Sequence, residues 1–155
     1  LWMKAFGDDE QFADSFIMRY YSRRRMLTAE AEGRTAAMLH LLPFRTELGR
    51  TTYIYGVATD PAFRGRGLAS QLMREAMQLI ADRGDDAAFL IPTPGKEWLR
   101  EFYGRFGFAG DVPTEFVSAD RFDFGTGDAA ADRAMVWRRT PEGPLPEQLT
   151  ASWHS

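Results

Sequence analysis

Apolar and polar positions along this chain repeat with two different periods, and each change of period marks an element. In "EQFADSFIMRYYSRRR" (10–25), Phe12, Phe16, Ile17 and Tyr20 recur at the spacing of one helix face. The run Arg23-Arg24-Arg25 falls at its C-terminal end, where positive charge is favoured. "MLTAEAEGRTAAMLHLLPF" reads as a β-hairpin with Glu32-Gly33 as its turn and "TAAMLHLL" as its second strand. His40 lies within that apolar strand and reads first as a packed histidine. "RTELGR" (45–50) is polar and reads as a loop. "TTYIYGVAT" (51–59) is rich in β-branched and aromatic residues and reads as a strand, with Gly56 marking a bulge or a close backbone approach.

After a glycine-rich loop the period lengthens again. Leu68, Leu72, Ala76 and Ile80 recur every fourth residue, Ala69, Met73 and Met77 widen the stripe, and Gly84 supplies the stop. "DAAFLIP" (86–92) is a short apolar run and reads as a buried strand. Thr93 then caps, and Pro94 opens, a helix through "KEWLREFYGRF" to Gly107. "TEFVSADRFDF" (114–124) and "RAMVWRR" (133–139) read as strands around a loop rich in glycine, alanine and aspartate. From Thr140 the chain has three prolines and little periodicity, so residues 1–139 are expected to form one domain and 140–155 a loosely ordered tail. The resulting order is mixed α/β, with a strand–loop–helix–strand unit at its centre. Such a unit needs a right-handed crossover and a locally parallel strand pair.

Composition narrows the chemistry. The chain has 155 residues, a size suited to one core, and 45% are apolar. With 19 basic against 22 acidic residues the net charge is −3, which argues against broad nucleic-acid binding. Any anion site must therefore be local. There are no cysteines, and the two histidines, His40 and His154, are far apart, so neither a thiolate site nor a histidine-rich metal site is expected. The sequence has no apolar run of about 18 residues and no visible signal peptide. A soluble cytoplasmic protein is the default expectation.

The loop "PAFRGRGLASQL" (61–72) carries the sharpest signal. A helix start leaves unpaired N–H groups and partial positive charge, and both stabilise an anion. Glycines at 65 and 67 allow several N–H groups to converge, while Arg64 and Arg66 add charge at the rim. These features suit a pyrophosphate, although a simple turn before a helix explains the glycines equally well. Familiar nucleotide loops do not fit. No Lys-Ser or Lys-Thr follows Gly67 as a P-loop requires, and position 70 is serine where a dinucleotide fingerprint needs glycine.

Arg64-Gly65-Arg66-Gly67-Leu68-Ala69 resembles the [Q/R]-x-x-G-x-[G/A] signature of the GNAT superfamily of N-acetyltransferases. "YGVATDPAFRGRGLASQLM" is similar to that family's strand, turn, phosphate loop and helix throughout, and "FYGRFGF" (102–108) resembles its second hallmark. The two matches cover about residues 53 to 108. The resemblance implies a twisted, mostly antiparallel sheet with a splayed parallel strand pair and helices on both faces. It implies acetyl-coenzyme A as the cofactor, its pyrophosphate on the amides of Arg64, Gly65, Arg66, Gly67, Leu68 and Ala69. The pantetheine arm would then run along Val57, Ala58 and Thr59, with the Val57 N–H polarising the thioester carbonyl. It implies direct attack by a primary amine, with Tyr103 protonating the leaving thiolate. Family members open with a further strand and helix before the region matching Trp2, so either a native N-terminus ahead of Leu1 or that first strand is expected to be missing.

For the base, Glu47, Asp60 and His40 are the candidates, and Phe44, Tyr53 and Tyr55 are candidates for an acceptor pocket. Tyr103 has an alternative role, padding an apolar helix face with Trp98, Leu99, Phe102 and Phe106. The expected partners are a small-molecule or peptidyl amine, with no nucleic acid and no membrane; a homodimer is left open. Two other functional readings compete with the enzyme: a non-catalytic acyl-coenzyme A sensor of the same fold, and an interaction domain in which the loop is only a turn.

Overall fold

The computed structural model describes residues 25–117 and 130–154. The helix expected over residues 10–25 lies outside that range but for Arg25, as does the second half of the strand expected over 114–124. Within it the strands are β1 (Met26–Ala31), β2 (Arg34–Thr46), β3 (Gly49–Thr59), β4 (Ala87–Leu90), β5 (Ala109–Val117), β6 (Arg133–Arg138) and β7 (Leu149–Trp153). The helices are α1 (Leu68–Arg83) and α2 (Trp98–Gly104), with a 3-10 turn at Pro61–Phe63. The strands hydrogen-bond in the order β1-β2-β3-β4-β6-β5-β7. Pairs β3–β4 and β5–β7 are parallel, while β1–β2, β4–β6, β5–β6 and β2–β7 are antiparallel. The mixed sheet expected from the sequence is thus present.

The chain falls into two compact units, residues 1–42 with 54–78, and 43–53 with 79–155. In the first, β1 and β2 form the expected hairpin, with Met26 opposite His40 and Ala31 opposite Arg34. Glu32 and Gly33 both have positive φ, 52° and 77°, the pattern of a turn whose twist matches the flanking strands. On α1 the buried positions are Leu72, Met73, Ala76 and Ile80, the stripe that its period predicts.

In the second unit α1 ends where Gly84 takes φ 77°. The Gly84 N–H donates to the Ala81 carbonyl and the Asp85 N–H to that of Ile80, a paired closure that satisfies two terminal carbonyls. Asp85, only 3% exposed, then fastens the start of β4. Its Oδ2 accepts from the Thr52 hydroxyl at 2.6 Å, and its Oδ1 lies 3.1 Å from Arg50 Nε. Phe44, Tyr53, Phe89, Phe116 and Trp153 pack ring against ring, with Tyr53 and Phe89 stacked at 4.5 Å.

Three expectations need correction. "RTELGR" is not a loop: strands run to Thr46 and from Gly49, leaving only Glu47 and Leu48 as the turn. Thr93 and Pro94 do not open α2, because Gly95 takes φ 84°; the helix starts at Trp98, is capped by no side chain, and ends at Gly104. The tail expected to be loosely ordered contains β7, whose Leu149 and Ala151 are wholly buried.

Candidate functional site

The glycine-arginine loop belongs to the first unit. Pro61–Phe63 is held by Asp60, whose Oδ1 accepts from the Ala62 N–H at 3.0 Å and whose own N–H donates to the Ala36 carbonyl at 2.7 Å. The chain then turns through Gly65 at φ 80° and Gly67 at φ 76° before α1 begins at Leu68. A Cβ at either glycine would meet nothing within 4 Å, so conformation and not crowding requires glycine here.

The consequence is a row of available donors. Among the described residues, no protein acceptor stands at hydrogen-bonding geometry from the N–H of Gly65, Gly67, Leu68, Ala69 or Ser70. The first amide of this stretch with a backbone acceptor is that of Gln71, which donates to Gly67. These five amides stand at the start of a 16-residue helix, where partial positive charge gathers.

Val57, Ala58 and Thr59 close β3. They are half-buried apart from Ala58, at 6% exposure, and follow Gly56 at φ 66°. Pairing of β3 with β4 runs only from Thr51↔Ala87 to Tyr53↔Phe89, although β3 continues to Thr59. β4 ends at Leu90, and its pairing with β3 extends no further than Tyr53.

Tyr103 belongs to the second unit, on the last turn of α2. It is 8% exposed and its ring meets Phe102 edge-on at 5.2 Å. Its hydroxyl has no hydrogen-bond partner among the described residues, yet no fully buried side-chain oxygen there is left unpaired, so the hydroxyl keeps some solvent access. Burial pushes the phenol up to about 12. The sequence "FYGRFGF" makes local sense: α2 stops at Gly104, Gly107 takes φ 91° with Trp137 3.1 Å from where a Cβ would stand, and Phe108 buries at the start of β5. Trp98 is 63% exposed and does not belong to a packed face.

The three base candidates all have structural employment. The Glu47 Oε1 accepts from the Thr150 N–H at 2.7 Å, anchoring β7. Burial works to raise this carboxyl, but hydrogen bonds from Thr150 and from its own backbone hold it below the usual range, which makes it a weaker base. Asp60 is the cap described above. His40 is 4% exposed, with Nδ1 3.3 Å from the Tyr55 carbonyl, and burial lowers it to about 4. Of the acceptor-pocket candidates, Phe44 and Tyr53 are core, at 1% and 3% exposure, and only Tyr55 is half-buried.

Sequence reasoning missed Phe63 and Arg34. The Phe63 ring, 1% exposed, carries the Arg66 guanidinium at 4.9 Å and that of Arg34 at the same distance. Their only trace in the sequence is an aromatic residue just ahead of the loop.

Residues 1–110 match the family model described as "Acetyltransferase (GNAT) domain". No curated protein matches the chain. Among solved structures, a GNAT family N-acetyltransferase (YhbS) from Escherichia coli in complex with CoA has a TM-score of 0.66 at 17% identity, covering 99% of this chain and 81% of that one. A GNAT family acetyltransferase from Elizabethkingia anophelis with acetyl-CoA bound has a TM-score of 0.61 at 14% identity, covering 89% and 88%. Eis1 from Mycobacterium abscessus reaches 0.57 at 18% identity, and there the match spans 70% of this chain but only 27% of the larger protein. At such identities these likenesses speak to the fold.

Proposed function

The chain belongs to the GNAT acetyltransferase family, and from that premise we propose that it transfers an acetyl group from acetyl-coenzyme A to a primary amine. The observation that carries the reading is the row of free amides at Gly65 and Gly67 to Ser70. It fits a diphosphate without help from net charge, which is −3 for the whole chain.

Acetyl-coenzyme A supplies the activated acetyl thioester. The amides of 64–69 hold the diphosphate, and Arg64 and Arg66 add charge at its edge. Val57 to Thr59, on the stretch of β3 past its pairing with β4, offer backbone groups to an extended arm. The Val57 N–H is the proposed donor to the thioester oxygen, a contribution of about 3 kcal/mol when preorganised. Tyr103 is the proposed proton donor to the leaving sulfur. With its phenol at about 12 it stays protonated at every working pH. Complete transfer to a thiolate of ordinary pKa, about 8.5, is uphill by roughly 5 kcal/mol, so the hydroxyl acts chiefly as a hydrogen-bond donor until the C–S bond is well broken.

The test is coenzyme A release with a panel of primary amines, wild type against Tyr103→Phe, alongside thermal stabilisation by coenzyme A. Turnover that falls with the hydroxyl supports the reading; stabilisation without turnover on any amine does not. A second reading, an acyl-coenzyme A sensor, is favoured by one observation: Glu47, Asp60 and His40 are each committed to the fold, and none stands ready as a base.

A further inference from the structure

We infer that Arg34, stacked on Phe63 beside Arg66, forms a phosphomonoester subsite that takes the 3′-phosphate of coenzyme A. The inference deepens the coenzyme reading above and rests on it.

The geometry is local to the first unit. Arg34 opens β2, directly after the Glu32-Gly33 turn, and Arg66 lies in the loop itself. Both guanidinium carbons stand 4.9 Å from the centroid of one buried ring, so they are no more than twice that distance apart. Stacking fixes each head; Arg66 Nη1 donates to Glu32 Oε1, while the Arg34 N–H groups meet no acceptor among the described residues. An arginine already held on an aromatic face loses less rotamer entropy on meeting an anion than a free one does.

The charges are not equivalent. Arg66 lies 3.5 Å from Glu32 Oε1, so its charge is partly offset. Arg34 makes no ion pair among the described residues. Two guanidiniums, Arg34 and Arg66, therefore share one ring while only Arg66 meets a carboxylate, in a chain whose net charge is negative. The diphosphate is matched by the amides, which leaves a cation beyond what the loop itself uses.

Coenzyme A has a group of matching chemistry. Its 3′-phosphate is a monoester carrying about −1.5 to −2 at pH 7, with three acceptor oxygens that suit a guanidinium fork. The ribose keeps that phosphate within a few bonds of the diphosphate, so a cation for it must stand beside the loop, as Arg34 does.

The test is calorimetric titration of the full chain with coenzyme A and with 3′-dephospho-coenzyme A, each at low and at physiological salt. Wild type is expected to bind coenzyme A about tenfold tighter at low salt, and the gap narrows as salt screens the pair. Arg34→Gln brings the two ligands within about twofold by weakening coenzyme A alone, and Arg34→Lys keeps an intermediate preference. Equal affinities in wild type, or an Arg34→Gln loss shared by both ligands, overturn the subsite while leaving the coenzyme reading intact. Binding of neither ligand by wild type removes the coenzyme reading and the subsite with it.

Discussion

His40 allows a prediction whose size follows from the structure. Its imidazole is 4% exposed on β2, and burial lowers it to about 4 from an ordinary 6.5, with the Tyr55 carbonyl opposing in part. The folded state therefore prefers the neutral ring. A histidine with a lowered folded pKa contributes stability above its unfolded pKa and loses it as pH falls from 6.5 toward 4. Linkage over that window gives a loss of about 3 kcal/mol between pH 7 and pH 4, with roughly 2 kcal/mol gone by pH 5. That is a large share of the 5–15 kcal/mol typical of a domain.

The assay is urea unfolding at pH 7, 5 and 4 for wild type and for His40→Gln, which keeps a polar group but does not titrate. With a slope of about 2 kcal/mol/M, wild type should lose roughly 1.5 M of midpoint more than the variant across the range. Subtracting the variant removes the carboxylates, which also titrate in acid. Parallel losses in the two proteins would refute the argument, as would an imidazole NMR midpoint near 6.5.

Three further outcomes test the site and the fold. Gly67→Glu forces a side chain into φ 76° and places a carboxylate among the amides; coenzyme A at 100 times its dissociation constant should raise the Tm of wild type by about 7 °C and that of the variant hardly at all in differential scanning fluorimetry. Tyr103→Phe should lower kcat roughly 100-fold with little change in the coenzyme KM, and the wild-type pH profile should show no alkaline limb from this phenol below about 12. Leu149→Ala, in a wholly buried position of β7, should cost about 3 kcal/mol in urea unfolding, where a loose tail would give no change.

How much of this was legible in the sequence depended on where each signal resides. The α1 stripe and its Gly84 stop are written in neighbouring residues, and the helix matches both. The signature at 64–69 and "FYGRFGF" likewise lie in short stretches. Strand β7 was missed because its pairing comes from residues remote in sequence: Leu149 pairs with Thr114, and Trp153 with Phe44. Two alternating buried positions after a proline-rich stretch are too few to show a period. The Glu47-Leu48 turn was missed for a related reason, since it lacks the Asn-Gly or Asp-Gly pair that marks tight hairpins. Glu47 itself looked like a free carboxylate because its partner amide lies 103 residues away. The placement of Arg34 on Phe63 is again a tertiary fact, invisible to any local window.

The glycines of this chain separate into two kinds, and the difference bears on the loop. At Gly107 and Gly49 an added Cβ would press on the protein itself, against Trp137 and Asp86 respectively. At those positions packing adds to a positive φ, 91° and 103°, that itself favours glycine. At Gly65 and Gly67 the space beside the backbone is open, and the positive φ values hold no internal hydrogen bond of their own amides. A turn that served only to start α1 could place its donors on its own carbonyls or on a capping side chain, as the Pro61–Phe63 turn does through Asp60. Among the described residues, this one places the amides of Gly65 and Gly67 on no such acceptor. The conformation is one that side chains other than glycine reach only at a cost of about 1–2 kcal/mol per residue, whereas glycine adopts it freely. In the function proposed above, those donors are taken up by a ligand rich in acceptor oxygens.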